Sequence, residues 1–388
     1  MDAFGNSLIE SLKKPLAELA SSDEIRSLLE RHHEVLAQVT LAARRETCVW
    51  DLPVREQGIH MPLPSLTRFR TLARLVALQA RLQIAEGRNA DACRTVQTGL
   101  AMARHMGQGP TLISALVAVA MAELTLDRVA ELIQNTDAPN LYWALTDLPQ
   151  SFIDARTPMQ FEKSILYLTF PQLRNLADAA LTPEQAQALS DEIVRILDSR
   201  ETGWNARLAA AAVAIKVYPI AKQHLVSLGY TPERMEAMPV QQTILLYWLD
   251  QYTRSRDEMF KWFSVPYWQA AEGLRAAEAK LAENPDRLLN PCIALLPSLR
   301  KAHLRTTMPD RSIAALRCIE AVRLHAAAHD GRPPTQLDDI TLVPIPIDPI
   351  TGAPFRYEVN GNQILLEGPA PVDGSPKDGL RYEMTLTQ

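Results

Sequence analysis

The sequence is poor in cysteine, carries no surplus of positive charge and contains no long apolar run, and each shortage excludes something. Four cysteines in 388 residues (Cys48, Cys93, Cys292, Cys318) fit no CxxC or zinc-ribbon spacing. They read as buried thiols; an oxidising compartment would allow one or two disulfides, with no pairing preferred. A formal charge of −5, with no lysine- or arginine-rich stripe, argues against a nucleic-acid binder. The most apolar runs, 115–122 and 208–215, reach about eight residues where a membrane-spanning helix needs about twenty. The opening "MDAFGNSLIESLKKPLAELA" lacks the basic start and continuous apolar stretch of a signal peptide. As it stands the chain reads as soluble, with no transmembrane segment: periplasmic or secreted if an export signal was removed, otherwise cytoplasmic.

Signatures of catalysis are also missing. There is no Walker A loop, no GxGxxG after a strand, no HExxH and no GxSxG elbow. His325 and His329 share a helical face and Cys318 points the same way, but two helical turns rise about 10–11 Å, too far for Cys318 to join them. The other ligands of a zinc or copper site are not evident. His32 and His33 are adjacent, and neighbouring helical residues diverge by about 100°, so they cannot act as one ligand pair.

What is there, over residues 1–305, is helix. Apolar residues recur at spacings of three and four, and starts are well marked. Ser21 with Glu24 predicts a capping box, and Thr182-Pro183-Glu184-Gln185 and Thr231-Pro232-Glu233 predict N-caps followed by proline in the first turn. The segment 73–106, "ARLVALQARLQIAEGRNADACRTVQTGLAMARHM", predicts two helices about a turn at Gly87-Arg88-Asn89. With small residues at Ala80, Ala92 and Gly99 for a close crossing, it resembles a tetratricopeptide hairpin, although Gln83 replaces the usual aromatic and Gly99 the usual alanine. The stretch 111–135 is a candidate for the next pair. No second copy recurs near a 34-residue period, so the expected body is an irregular stack of helical hairpins, an architecture that offers surfaces for partners.

Two aromatic clusters interrupt it. One is Tyr142-Trp143 beside a proline-bounded turn; the other gathers Phe260, Trp262, Phe263, Tyr267 and Trp268 around Pro266. The second is either a contact surface for a protein, peptide or sugar, or a helix–proline–helix corner whose rings anchor the core.

From residue 306 the pattern changes. Met308-Pro309-Asp310 predicts the close of the body and an N-cap for a largely buried helix over 311–330, stopped by Gly331. After Asp348-Pro349 the period becomes two. Phe355, Tyr357 and Val359 share a face, Asn360-Gly361 predicts a two-residue hairpin turn, "QILLE" (363–367) returns, and Leu380, Tyr382, Met384 and Leu386 alternate along 380–387. The expected fold is mainly α, with a C-terminal module over 306–388 of one helix covering about three antiparallel strands.

His329 to Gly331, Pro334-Thr335, and Asp348, Pro349, Gly352, Pro354 and Tyr357 follow one another in an order that resembles the soluble domain of type II secretion pseudopilins and their type IV pilin relatives. The likeness covers roughly 75 residues, and the family's processing site and apolar stalk are absent. It implies an envelope or secreted setting. In that family a C-terminal loop can hold calcium, which here would fall to Asp348, Asp373 and Asp378; the residues alone read as turn aspartates. The body resembles uncharacterised helical proteins of bacterial envelopes. The expected function is a non-catalytic scaffold or interaction protein of the bacterial cell envelope that binds another protein through its helical surface or the 260–268 aromatics, with no cofactor. The alternative is an all-α, glycoside hydrolase-like enzyme with paired carboxylates in a cleft of the body.

Overall fold

The computed structural model describes residues 3–63, 65–197, 204–284, 289–296, 298–372 and 374–385. Its helices are α1 (Ala3–Lys13), α2 (Leu16–Ala20), α3 (Asp23–Arg31), α4 (His33–Ala43), α5 (Val54–Gln57), α6 (Leu66–Ala85), α7 (Asn89–Gly107) and α8 (Leu112–Leu132). There follow α9 (Tyr142–Thr146), α10 (Arg156–Thr169), α11 (Pro183–Leu197), α12 (Trp204–Ser227), α13 (Pro232–Ala237), α14 (Val240–Phe260), α15 (Tyr267–Glu283) and α16 (Leu299–Ala328). Strands β1 (Arg356–Asn360), β2 (Gln363–Gly368) and β3 (Leu380–Thr385) come last, so the protein is mainly α with a small C-terminal antiparallel sheet. No helix among the described residues is long and apolar enough to cross a membrane.

The caps explain most helix starts. Thr182 Oγ1 accepts the Gln185 N–H while Gln185 Oε1 accepts the Thr182 N–H, and Thr231 Oγ1 accepts the Arg234 N–H. At the start of α3 the cap is Ser22 rather than Ser21: Ser22 Oγ accepts the Ile25 N–H, and the Ser21 hydroxyl instead donates back to α2. The hairpin over 73–106 forms as α6 and α7, with Gly87 at φ +72° in the turn. Gly99 does not serve their crossing. It faces α8, where a Cβ would meet Thr125 Oγ1 at 2.7 Å. The stretch 111–135 is one helix, α8, rather than a pair, capped by Thr111.

α16 is the spine. It packs with α8, α9 and α15, and Ile313, Leu316 and Ile319 share one hydrophobic core with Phe355, Ile364 and Leu366 of the sheet module. The helix runs through Pro309, so residues 299–328 form one element across the expected start at 308–310. An interior proline frees the carbonyl four residues back and normally breaks a helix. Here Met308 and Pro309 are buried, and the hydroxyls of Thr306 and Thr307 donate to the carbonyls of Ala302 and His303 just before the proline. Packing on nearly every side overrides the local preference.

In the sheet, β2 lies between β1 and β3, with Tyr357 opposite Leu366 and Leu366 opposite Tyr382. The expected faces hold: Phe355, Ile364 and Leu366 are buried, while Arg381, Glu383 and Thr385 are exposed. Residues 386 and 387 of the expected third strand lie outside the described residues. The hairpin turn is one residue later than the Asn-Gly signal suggests. Asn360 pairs with Gln363, leaving Gly361 at φ +62° and Asn362 as the loop.

Candidate functional site

The 260–268 aromatics form a seam rather than a surface. Phe263 and Tyr267 are buried, and both rings contact His303 of α16, at centroid distances of 4.6 and 5.6 Å. Phe260 and Trp262 are half-buried in the same cluster, and the Trp262 indole lies against Gly273, where no Cβ would fit. Only Trp268 is substantially open, at 43% exposure, and one face of its ring lies on Gly352, which adopts φ +70° and whose Cβ would meet Trp268 Cδ2 at 2.5 Å. The reading of this set as an exposed contact surface is therefore corrected. A helix–proline–helix corner turns these rings inward, and they join α15 to α16 and to the loop before β1.

Asp348 and Asp378 have also found other partners. Arg311 on α16 is fully buried; its Nε and Nη2 donate to Asp348 Oδ2 at 3.1 and 2.7 Å, Nη2 to the Pro369 carbonyl at 2.7 Å and Nη1 to the Asp378 carbonyl at 2.6 Å. Asp348 Oδ1 accepts the Ile350 N–H at 2.8 Å. The Asp378 carboxylate meets Arg305 at 2.9 Å and the Ser375 N–H at 2.8 Å. A guanidinium thus stands among one carboxylate and two carbonyls, the oxygens a cation would seek. Asp373 lies outside the described residues. No group of three or more possible ligating side chains was found among the described residues. Residues of the pseudopilin-like order instead make structural contacts. Asp348 holds Arg311, Gly352 admits Trp268, and the Tyr357 hydroxyl donates to the Pro334 carbonyl at 3.0 Å.

The histidines are occupied too. The rings of His325 and His329 stack at 4.0 Å, and His329 Nδ1 lies 2.7 Å from the His325 carbonyl. His32 and His33 each place Nδ1 2.8 Å from a different backbone carbonyl, those of Leu28 and Glu30. Of the carboxylates shifted upward by burial, Glu123 feels the charges of Asp127, Asp378 and Arg305, and the others lie apart. Burial pushes Glu162, Asp310 and Glu320 upward, Asp310 to about 6, yet Glu162 accepts the Leu112 N–H, Asp310 the Phe152 N–H, and Glu320 pairs with Arg323. Burial likewise pushes the Cys292 and Cys318 thiols up to about 12, so both are inert.

A groove lies at the other end of the molecule. Helices α3 and α4 turn back at His32 and stand against α6 and α7, leaving a groove of about 810 Å³. Its apolar lining comes from Leu29, Leu36, Ala37, Leu41 and Leu82, with Thr40, Gln79 and Gln83 between them. Arg26, Arg44, Arg88 and Glu86 form the charged rim. Burial favours a neutral Glu86, but bonds from Arg88 and Arg26 outweigh it and hold the carboxyl below its usual range. Asp23 and Asp91 pair with Arg26 and Arg88 as well, so the charges of the rim largely cancel.

The wall made by α4 is unusual for so apolar a helix. Of "HEVLAQVTLAA" only Leu36 is buried, while Val35 is 42% and Leu41 54% exposed. A helix with an apolar stripe normally buries it. This groove was only partly legible in sequence, because its walls come from separate stretches of chain whose spacing in the fold is a tertiary property. The available signal was the excess of aliphatic residues around α4. A second groove, of about 550 Å³, crosses the outer face of the sheet between Arg356, Glu367 and Arg381. Neither groove presents two facing carboxylates, since Glu86 and Glu367 are each held between two arginines. No family model, curated protein or solved structure matches the chain.

Proposed function

We propose that the protein is a non-catalytic interaction protein that receives an apolar helical segment of another protein in the groove between α3–α4 and α6–α7. The observation that carries this reading is α4, where Leu41 lines the groove at 54% exposure and only Leu36 of the helix is buried. An amphipathic helix laid into the groove would cover Ala37 and Leu41 with its apolar face, and a carboxylate on its flank would meet Arg44. One feature sets the hydrolase reading lower: the carboxylate of each groove is neutralised by arginines. The cell-envelope setting rests on the resemblance of residues 306–388 to pseudopilins.

The test is site-specific photo-crosslinking in native cells. A crosslinker at Ala37 should capture one partner, the Leu41→Glu change should abolish that capture, and a crosslinker at Val226, exposed on α12, should not reproduce it. Equal capture from Ala37 and Val226, or capture indifferent to Leu41→Glu, would rule out the groove as the binding site.

A further inference from the structure

Among the described residues the sheet ends at β3, and of the devices that usually close an edge this strand carries only the charges of Arg381 and Glu383. β3 is six residues long, contains no proline or bulge, and turns Leu380, Tyr382 and Met384 inward rather than a charge. Among the described residues, no backbone hydrogen bond reaches its outer edge. Its inward side chains are only half-buried, so the apolar face ends partway across the last strand.

The order of its side chains says what would continue it. Leu380-Arg381-Tyr382-Glu383-Met384 is symmetric about Tyr382, with apolar residues at its ends and opposite charges between. If two such strands pair antiparallel about a two-fold axis at Tyr382, each Arg381 faces Glu383 of the second copy and each Leu380 faces Met384. Opposite charges and apolar pairs directly across an antiparallel ladder stabilise it, and like charges there oppose it. Any other antiparallel register of the same two strands loses both charge pairs. Arg381 and Glu383 are exposed and lie on the outer face, where Arg381 already reaches Glu367 of β2 and Glu383 of its own strand.

We infer that the free edge of β3 is a homodimerisation edge: two copies of this chain join their three-stranded sheets into one antiparallel sheet of six strands, in the register Arg381–Glu383. The inference is independent of the groove beside α4, at the other end of the molecule. An edge-to-edge contact is smaller than a standard stable interface, so the dimer belongs in the micromolar range.

Sedimentation velocity over a concentration series tests it first. The full chain should show a reversible monomer–dimer equilibrium. Arg381→Glu and Glu383→Arg should each weaken the dimer about tenfold or more, because each change places two like-charge pairs across the axis, and the double exchange R381E/E383R should restore it. Circular dichroism of each variant confirms that the sheet is intact. A second measurement fixes the register with exposed positions that folding does not depend on. Under mild oxidation, a mixture of R381C and E383C chains should form a cross-linked heterodimer, because facing residues lie within disulfide reach. Neither chain alone, nor the wild type with its own cysteines, should do so to the same extent. A chain that stays monomeric throughout the series, or a cross-link as strong with R381C alone as in the mixture, would overturn the inference.

Discussion

Replacing Arg311 with methionine should be among the most damaging single changes in the protein. The side chain is fully buried and donates four hydrogen bonds, two to Asp348 and one each to the carbonyls of Pro369 and Asp378. Methionine fills much of the same volume, so the loss is mainly electrostatic. Asp348, itself fully buried, keeps the Ile350 N–H but loses its counter-charge. Breaking a buried pair from one side costs about 3–5 kcal/mol, because a charge is left in a low-dielectric interior without compensation. The loss should be local first: α16 remains packed against α8, while the loop 348–355 and the segment 369–379 lose their common anchor. Native-state hydrogen exchange at the Leu366 amide of β2 should report an opening free energy lower by about that amount. Asp348→Asn should be costly for the same reason, and R311M/D348N should cost less than the sum of the two singles by at least about 1.5 kcal/mol. A loss below about 1 kcal/mol for R311M, or strict additivity in the cycle, would refute the claim that this guanidinium holds the C-terminal module together.

Three further outcomes follow from the same packing. Asp310 is pushed up to about 6 by burial, so the folded protein binds its proton more tightly than the unfolded chain does. Its contribution is therefore favourable at low pH and is lost as pH rises from about 4 through 6; Asp310→Asn, which can keep the Phe152 N–H bond, should flatten that slope and gain about 1–3 kcal/mol at pH 7 in urea titrations. Trp262→Ala should cost about 3 kcal/mol and Trp268→Ala only about 1–2, as seen by circular dichroism melting, because the first indole fills the space over Gly273 while the second is 43% exposed. Gly273→Ala should lower stability by about 1–3 kcal/mol in the same melting assay through collision with the Trp262 ring, whereas Gly87→Ala should act only through the backbone, since nothing lies within 4 Å of a Cβ there.

The helical class, the caps at Thr182 and Thr231, and the inward faces of the strands were legible because each depends on residues within one or two turns of one another. Errors arose where two local solutions were nearly equal or where distant contacts decided. Ser21 and Ser22 both precede a helical run, and only the chain direction out of α2 determines which hydroxyl meets the Ile25 N–H. Pro309 signals a helix boundary by every local rule, yet its surroundings in α16 keep the helix continuous. The aromatic run 260–268 is apolar enough for either a core or a surface. The choice is made chiefly by His303 and Gly352, far along the chain, together with Gly273 on the next helix. Arg311 was missed altogether. A charged residue beside Ile313 and Leu316 at an otherwise inward position was the available signal, and its meaning depends on Asp348, 37 residues away.

These contacts place the two ends of the molecule in different physical regimes. At the C-terminal end, Trp268 on Gly352, Arg311 on Asp348 and Tyr357 on the Pro334 carbonyl tie the loop before β1 and the sheet to α15, to α16 and to the segment after α16. Such an end resists deformation, because these ties include a buried charge with a single counter-ion. At the N-terminal end, α4 is held chiefly by Leu36, while Val35 and Leu41 contact water. Few buried contacts mean a low opening free energy, so α4 is the element best able to shift when a partner enters beside it. Binding there also has more to gain, since the apolar area it would cover is already exposed before the partner arrives. A rigid edge suited to joining copies and a loose wall suited to admitting a partner can therefore coexist in one chain without competing for the same residues.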